Sequence, residues 1–340
     1  IARMTRAMPQ ETGAIAITGA VLGVVPGVLV GWAYWVSTWA AVAAIAIAAT
    51  SYLSALIPAL NATPMIGALV AVGMIWAMTL INLAVGLITV ALMVGGTTPL
   101  PPLPSASSAI AGLGAAITLT LFPLLGFETA GVIAERVRDP GRTVMRATMI
   151  GTALTGVIYI LVSSGIALTL PTEALLASPA PFALFVETHL GAASGTAVAG
   201  LAALAAVGAL NCWVLMQGET PLGMARAGLL PRWFATVSRR DVPVPALILS
   251  STLASLLVLA NASKSLAGVF EFAALLTTCS SLWLYLAITT AAIMRRQAVA
   301  ISSLGLAFSL LAMWGAGWEA SGLSLLLMLT GLPLYWLRGR

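Results

Sequence analysis

Charge is what this sequence has least of. Only 7% of its 340 residues are Asp, Glu, Lys or Arg, 60% are hydrophobic, and the mean hydropathy is +1.06. A soluble domain carries about 25% charged residues, so a globule built from this chain would lack the polar surface that water requires. Also missing is the apolar–polar alternation of a barrel strand. Several apolar runs instead exceed the roughly 18 to 20 residues with which a helix crosses a hydrocarbon core of about 30 Å. An all-α membrane protein is the class that remains. Two cysteines, Cys212 and Cys279, both inside apolar runs, offer neither a disulfide framework nor metal-ligand spacing. A glycine-rich phosphate cradle, a cluster of metal ligands and a nucleophile elbow with its partners are absent from the sequence. An ATP-driven pump or a membrane hydrolase therefore finds no support, and the expectation is a non-enzyme with no cofactor and no metal. Ile1 to Gln10 contain neither a starting Met nor a signal peptide, and the chain reads as beginning inside a longer protein.

The basic charge that is present is concentrated. A formal charge of +5 and a pI near 9.8 would indicate nucleic acid only if a folded surface carried a basic stripe. Fourteen of the fifteen basic residues fall instead in five short clusters: Arg3 and Arg6; Arg136, Arg138, Arg142 and Arg146; Arg226, Arg232, Arg239 and Arg240; Arg295 and Arg296; Arg338 and Arg340, with Lys264 apart. Short loops rich in Lys and Arg stay cytoplasmic. The clusters, and with them the C-terminus, are expected on the cytoplasmic side of the cell (inner) membrane, with the bilayer as partner and no nucleic acid.

Between Pro, Gly, Ser and Asn punctuation, the apolar runs predict spans at Gly27 to Ile57, Met65 to Gly86, Leu87 to Gly96, Ile110 to Glu135, Thr143 to Leu170, Gly195 to Met224, Val244 to Ala260, Leu266 to Met294, Val299 to Gly315 and Ser321 to Leu337. The linkers Pro58 to Pro64, Thr97 to Ser108, Pro171 to Ala193 and Ala316 to Ala320 contain no Lys or Arg and read as external. From Ile110 onward, Arg-rich and Arg-free loops alternate as the charge rule demands. Between the linkers at Pro58 and Thr97 the number of crossings must be even. Met65 to Gly96 holds only 32 residues, whereas two full spans need roughly 40 and a turn. A shortened re-entrant hairpin would satisfy the count; loss of residues from the hairpin is the reading favoured.

The stretch richest in chemistry is Ile110 to Arg146. Its apolar run is interrupted by Phe122-Pro123-Leu124-Leu125-Gly126-Phe127-Glu128, where Pro removes a backbone donor and Gly relaxes the helix. This is the composition of a broken membrane helix, in which unwound backbone exposes carbonyls and half-helix ends to a substrate; a simple Pro kink is the alternative. Glu128 is the sole ionisable side chain between Ser105 and Ala134. A carboxylate near mid-membrane costs about 3 kcal/mol or more unless paired, solvated or protonated, so Glu128 is a candidate for proton coupling or gating. A protonated Glu bonded to a neighbouring helix is the alternative. Glu135, in the following loop, either closes an inner gate with an Arg or is simply solvated. Trp213 lies deep in its span, away from the interfacial belt where membrane Trp concentrates, and either packs helices or faces a substrate. Small residues crowd Ala40 to Ala49 and Gly200 to Gly208, as close helix packing in lipid requires. His189, in the external segment from Pro181 to Leu190, reads as solvated.

Leu121-Phe122-Pro123-Leu124-Leu125-Gly126-Phe127-Glu128-Thr129-Ala130, followed by Glu135, Asp139-Pro140, Arg142, Arg146 and Ala147, resembles the sixth helix and following loop of amino-acid permeases. These belong to the amino acid, polyamine and organocation superfamily, and the likeness is to its arginine/agmatine antiporter branch. Met8-Pro9-Gln10 to Gly13, Gly31-Trp32 with Tyr34-Trp35, Asn211 with Trp213, Gln217-Gly218 and Ala225 to Pro231 agree in order. The resemblance implies a LeuT-type five-plus-five inverted-repeat bundle with two further helices, working by alternating access. About ten of twelve helices would be present: residues 1–109 from the first repeat, 110–294 as the second, 295–340 as the accessory pair. It also implies that the helix binding the substrate carboxylate precedes this chain. Phe122 matches a position usually held by Trp that closes over the substrate. Glu128 matches the acidic residue of proton sensing, Trp213 an aromatic of the side-chain pocket, and the carbonyls around Leu124, Leu125 and Gly126 would hold the substrate ammonium. Val42 stands where the branch has a substrate-touching Asn. With Phe122 in place of Trp, that departure means arginine is not carried over as substrate.

The expected function is secondary transport of amino acids or related amines, by exchange or proton symport, with a homodimer allowed. The alternative is a non-transporting membrane sensor, a partner subunit or a degenerate permease fragment. A channel would want a repeated polar or charged ring, which the spans do not show.

Overall fold

The computed structural model describes residues 14–84, 106–126, 149–157, 159–160, 163, 166–167, 170–238 and 241–337. Among them the secondary structure is entirely helical: α1 Ala14–Leu22, α2 Val24–Leu56, α3 Pro64–Ala84, α4 Ala106–Leu121, α5 Thr172–Ala177, α6 Pro181–Leu190, α7 Ala192–Arg226, α8 Val244–Ala260, α9 Leu266–Met294, α10 Val299–Gly315, α11 Gly317–Leu329 and α12 Gly331–Leu337. Three-residue and four-residue 3₁₀ turns occupy Phe122–Leu124, Pro58–Asn61 and Arg232–Ala235.

The centre is α2. Gly23, at φ +102°, lets the chain turn between α1 and α2, and the helix ends where Ile57 leads into Pro58, as the residue before a proline disfavours helix. Between these limits α2 is buried on every side, the mark of a helix enclosed by others. Ala40, Ala41, Ala43, Ala44, Ala46 and Ala49 supply the small surface that lets α7 and α9 approach along it. At Gly31 a Cβ would lie 2.5 Å from Met224 Cε and 2.8 Å from Ile15 Cγ2, so any larger residue would have to displace those side chains. Trp35, 1% exposed, ties three helices together. Its Nε1 donates to the Gln217 carbonyl of α7 (3.1 Å) and to Ser250 Oγ of α8 (2.9 Å), while Gln217 Nε2 donates to Ser251 Oγ (2.8 Å). An indole N–H left unpaired there would cost about 1–3 kcal/mol.

The predicted spans Val244 to Ala260, Leu266 to Met294 and Val299 to Gly315 coincide with α8, α9 and α10, and α2, α3 and α7 match theirs within a few residues. Ser265 starts α9, its hydroxyl accepting from Gly268 N at 3.2 Å as an N-cap. Gly228, at φ +71°, ends α7 with Leu229 N donating to Met224 O at 2.9 Å. Two expectations are corrected. The linker Ala316 to Ala320 is a bend: Gly317 at φ +83° turns the chain in one step, α11 begins at once, and Ser321 Oγ reaches back to Met313 O at 2.6 Å. The linker Pro171 to Ala193 folds as α5 and α6, and α6 lies against the start of α7, where a Cβ on Gly195 would sit 3.1 Å from Ala183 O. Helix α1 went unread, because nine residues are too few to register as a span. Of Thr143 to Leu170, residues 149–157 are helical; Leu87 to Gly96 lies outside the described residues.

Among the described residues four helices are long and apolar enough to cross a membrane: Val24–Leu56, Ala192–Arg226, Leu266–Met294 and Gly317–Leu337, the last formed by α11 and α12 together. Ile301, Leu304, Phe308, Leu311 and Trp314 of α10 are exposed, which in a bilayer is a lipid-facing surface. The chain is a multi-pass helical membrane bundle.

Candidate functional site

Helix α4 stops where the sequence places Pro and Gly. Its last residue, Leu121, leads into the 3₁₀ turn Phe122–Leu124; Leu125 is extended (φ −65°, ψ 150°) and Gly126 takes φ +108°. Two contacts fix α4 as it approaches this point. Thr118 Oγ1 donates to Ala312 O of α10 at 2.7 Å, and Gly114 meets Gly315, where a Cβ on Gly315 would fall 2.2 Å from Gly114 O.

Beside the break lies a cavity of about 150 Å³, walled by Ala41 and Ile45 of α2, Phe122, Pro123 and Leu125 of the break, Trp213 of α7 and Thr277 of α9. Phe122 stands edge-on to Phe270 of α9, ring centres 5.7 Å apart at 89°, a favoured aromatic geometry. Gly126 meets the Trp213 ring: an added Cβ would be 3.4 Å from its Cζ2, at a positive φ that L side chains rarely adopt. Two of the break's carbonyls are already engaged, that of Phe122 by Leu125 N (3.1 Å) and that of Pro123 by Tyr159 Oη (3.3 Å). Thr277 Oγ1 donates to Ala273 O at 2.7 Å on its own helix.

Of the residues singled out in the sequence, Phe122, Leu125 and Trp213 line the cavity together, and Gly126 packs on the Trp213 ring. Leu124 packs, as Leu125 also does, against a cluster that includes Tyr34, Leu121, Leu282 and Tyr285. Val42 is fully buried in the main core, and Ala41 and Ile45 of the same helix form the wall instead. Glu128 and Glu135 lie outside the described residues. Ala41, Ile45, Pro123 and Thr277 were not anticipated. Thr277 had a signal: Thr277-Thr278-Cys279-Ser280-Ser281 is a run of five small polar residues inside an apolar span, and all five are buried. His189 is exposed, its Nδ1 2.7 Å from Phe185 O. Among the described residues no group of three or more His, Cys, Asp or Glu could hold a metal ion. The cavity thus sets apolar and aromatic walls beside unwound backbone.

A family model described as amino acid permease matches residues 83–333. The cadaverine/lysine antiporter of Escherichia coli (strain K12) is 29% identical over 294 residues, covering 78% of this chain and 65% of the relative. The putrescine transporter PotE of Haemophilus influenzae is 28% identical over 234 residues, 66% of this chain and 54% of that protein. A putative arginine/ornithine antiporter of Bacillus subtilis (strain 168) is 31% identical over 163 residues, 48% of this chain and 34% of its own length. The chain thus spans about two thirds of the length of the cadaverine/lysine antiporter. Because the family model covers well over half of the sequence and meets a helical bundle broken at Phe122, the chain belongs to the amino acid permease family.

Proposed function

We propose that this chain acts in secondary active transport of amino acids or related amines across the cell (inner) membrane. The observation that carries the reading is the stop in α4 at Phe122, with an aromatic-walled cavity between that break, α2, α7 and α9. Unwound backbone at membrane depth persists where it borders a cavity, and transporters place substrates against such breaks. A substrate that binds the outward and inward states unequally shifts their populations by its differential affinity, so the cycle needs no covalent step. In this reading the carbonyls around Leu124 to Gly126 hold the substrate ammonium, and Phe122 and Trp213 enclose its side chain. Glu128 carries the coupled proton, Glu135 belongs to an inner gate, and the Arg clusters face the cytoplasm. Residues 1–109, 110–294 and 295–340 correspond to the remainder of one repeat, the second repeat and an accessory pair.

Counterflow tests this. Purified chain in liposomes preloaded with a mixture of unlabelled amino acids and diamines should accumulate at least one labelled member of the mixture several-fold over protein-free liposomes. Trp213→Ala should reduce that accumulation about tenfold. Uptake no greater than in protein-free liposomes for every member would overturn the assignment.

A further inference from the structure

We propose that the connection between α7 and α8 holds the headgroup of an anionic phospholipid, with Arg232 on the phosphate and the Trp233 ring against the glycerol and the upper acyl chain. The proposal is independent of the transport reading above and concerns the surface of the bundle. From Arg226 to Asp241 the sequence carries four arginines, Arg226, Arg232, Arg239 and Arg240, against one carboxylate, Asp241, a net charge of +3. That carboxylate is engaged, Arg226 Nη2 lying 3.5 Å from Asp241 Oδ1. Arg232 is exposed and has no ion-pair partner among the described residues. Beside it Trp233 is 44% exposed and Val237 39%, so the guanidinium stands next to an apolar surface.

This surface is fastened to the core. Leu230 and Phe234, on either side of Arg232 in the chain, are buried. The Phe234 ring stands edge-on to Trp32 and Trp35 of α2, ring centres 6.5 and 6.1 Å apart at 79°, and Trp233 stacks on Phe234 at 3.7 Å and 26°. Ser238 N donates to Val242 O at 2.8 Å and Asp241 N to Ser238 O at 2.9 Å, which ties down the end of the segment. An arginine and an indole carried outward on a backbone already fixed bind with little further ordering. The place of the segment identifies the occupant. It joins the end of α7, a helix of membrane length, to the start of α8, and so comes out at the headgroup layer, where Trp concentrates and where arginine is attracted to anionic lipid. A guanidinium meets a phosphate with paired N–H donors. A soluble phosphate would use Arg232 and leave Trp233 and Val237 uncovered; a phospholipid covers all three.

Native mass spectrometry of the full chain in detergent, titrated with phosphatidylglycerol or phosphatidylcholine, counts the lipid retained. Phosphatidylglycerol should be held about fivefold or more tightly, the factor that one arginine contributes at an anionic membrane surface. Arg232→Gln should remove most of that preference; because Arg232 is exposed, the melting temperature should stay the same. Trp233→Ala should weaken retention of phosphatidylglycerol several-fold, and Trp233→Phe, which keeps a ring on Phe234, should restore part of it. Arg295→Gln, at an exposed arginine beyond the end of α9, is the control and should leave the preference in place. Equal retention of the two lipids, or a preference that survives Arg232→Gln, would overturn the proposal. Displacement of phosphatidylglycerol by millimolar glycerol 3-phosphate would overturn it as well, by making the site one for a soluble anion.

Discussion

Val42 and Ala41 show how finely the site is set. Successive residues of a helix point about 100° apart, so correct placement on α2 still leaves one residue turned into the core and its neighbour facing the cavity. Val42 is fully buried among core side chains, whereas Ala41 and Ile45, one turn apart, face the cavity. Gly126 is a similar case. Its φ of +108° and the Trp213 ring 3.4 Å from where a Cβ would stand mean that glycine here answers both a backbone and a packing demand. Gly126→Ala should cost about 1–3 kcal/mol of local strain. It should also push Trp213 off its place and weaken substrate binding in nanodiscs about tenfold or more, with the melting temperature lowered only slightly. Undiminished binding in calorimetry would show that the Gly126 conformation is not used by the site.

At the level of elements, α4 and α10 meet through a pair of glycines. A Cβ on Gly315 would come within 2.2 Å of Gly114 O, and one on Gly114 within 2.8 Å of Gly315 Cα. Both obstacles are backbone, which cannot swing aside as a side chain tip can. Thr118 Oγ1 to Ala312 O, at 2.7 Å, adds a hydrogen bond one turn along the same contact. Gly315→Val should therefore separate the helices, cost about 1–3 kcal/mol and displace Phe122 with the rest of the break. Gly322→Ala is the control: its Cβ meets nothing within 4 Å, and Ala is the better helix former by about 1 kcal/mol. Thermal unfolding in detergent should show a lower melting temperature for the first and an equal or higher one for the second. The sequence does not announce this pair, because Gly114 and Gly315 are 201 positions apart and only the fold brings them together.

For the whole molecule, the proposed cycle ties the Glu128 carboxyl to transport. If Glu128 carries the coupled proton, Glu128→Gln fixes the neutral form at every pH. Counterflow by the unsubstituted chain in proteoliposomes should depend on pH between about 5 and 8, and Glu128→Gln should lose that dependence. A retained pH profile would remove Glu128 from the coupling step.

Composition and pattern were enough to settle class and much of the layout. With 7% charge the chain cannot cover a water-soluble surface, and with apolar runs of membrane length its backbone polar groups must be satisfied within helices. The limits of α8, α9 and α10 follow from Pro, Ser, Asn and Arg at their ends, which act locally. Phe122-Pro123 likewise announces the stop in α4, because a missing N–H is a local fact. Two features escaped local reading: the bend at Gly317, where one residue at positive φ did the work expected of a five-residue linker, and the length of the linker helices α5 and α6. What the tertiary structure alone decided is which side chains share the cavity. Ala41, Phe122, Trp213 and Thr277 come from four separate segments. Side-chain meeting across such distances depends on helix rotation and packing of small residues against one another, and a sequence pattern carries the period of a helix but not the angle at which it faces its neighbours.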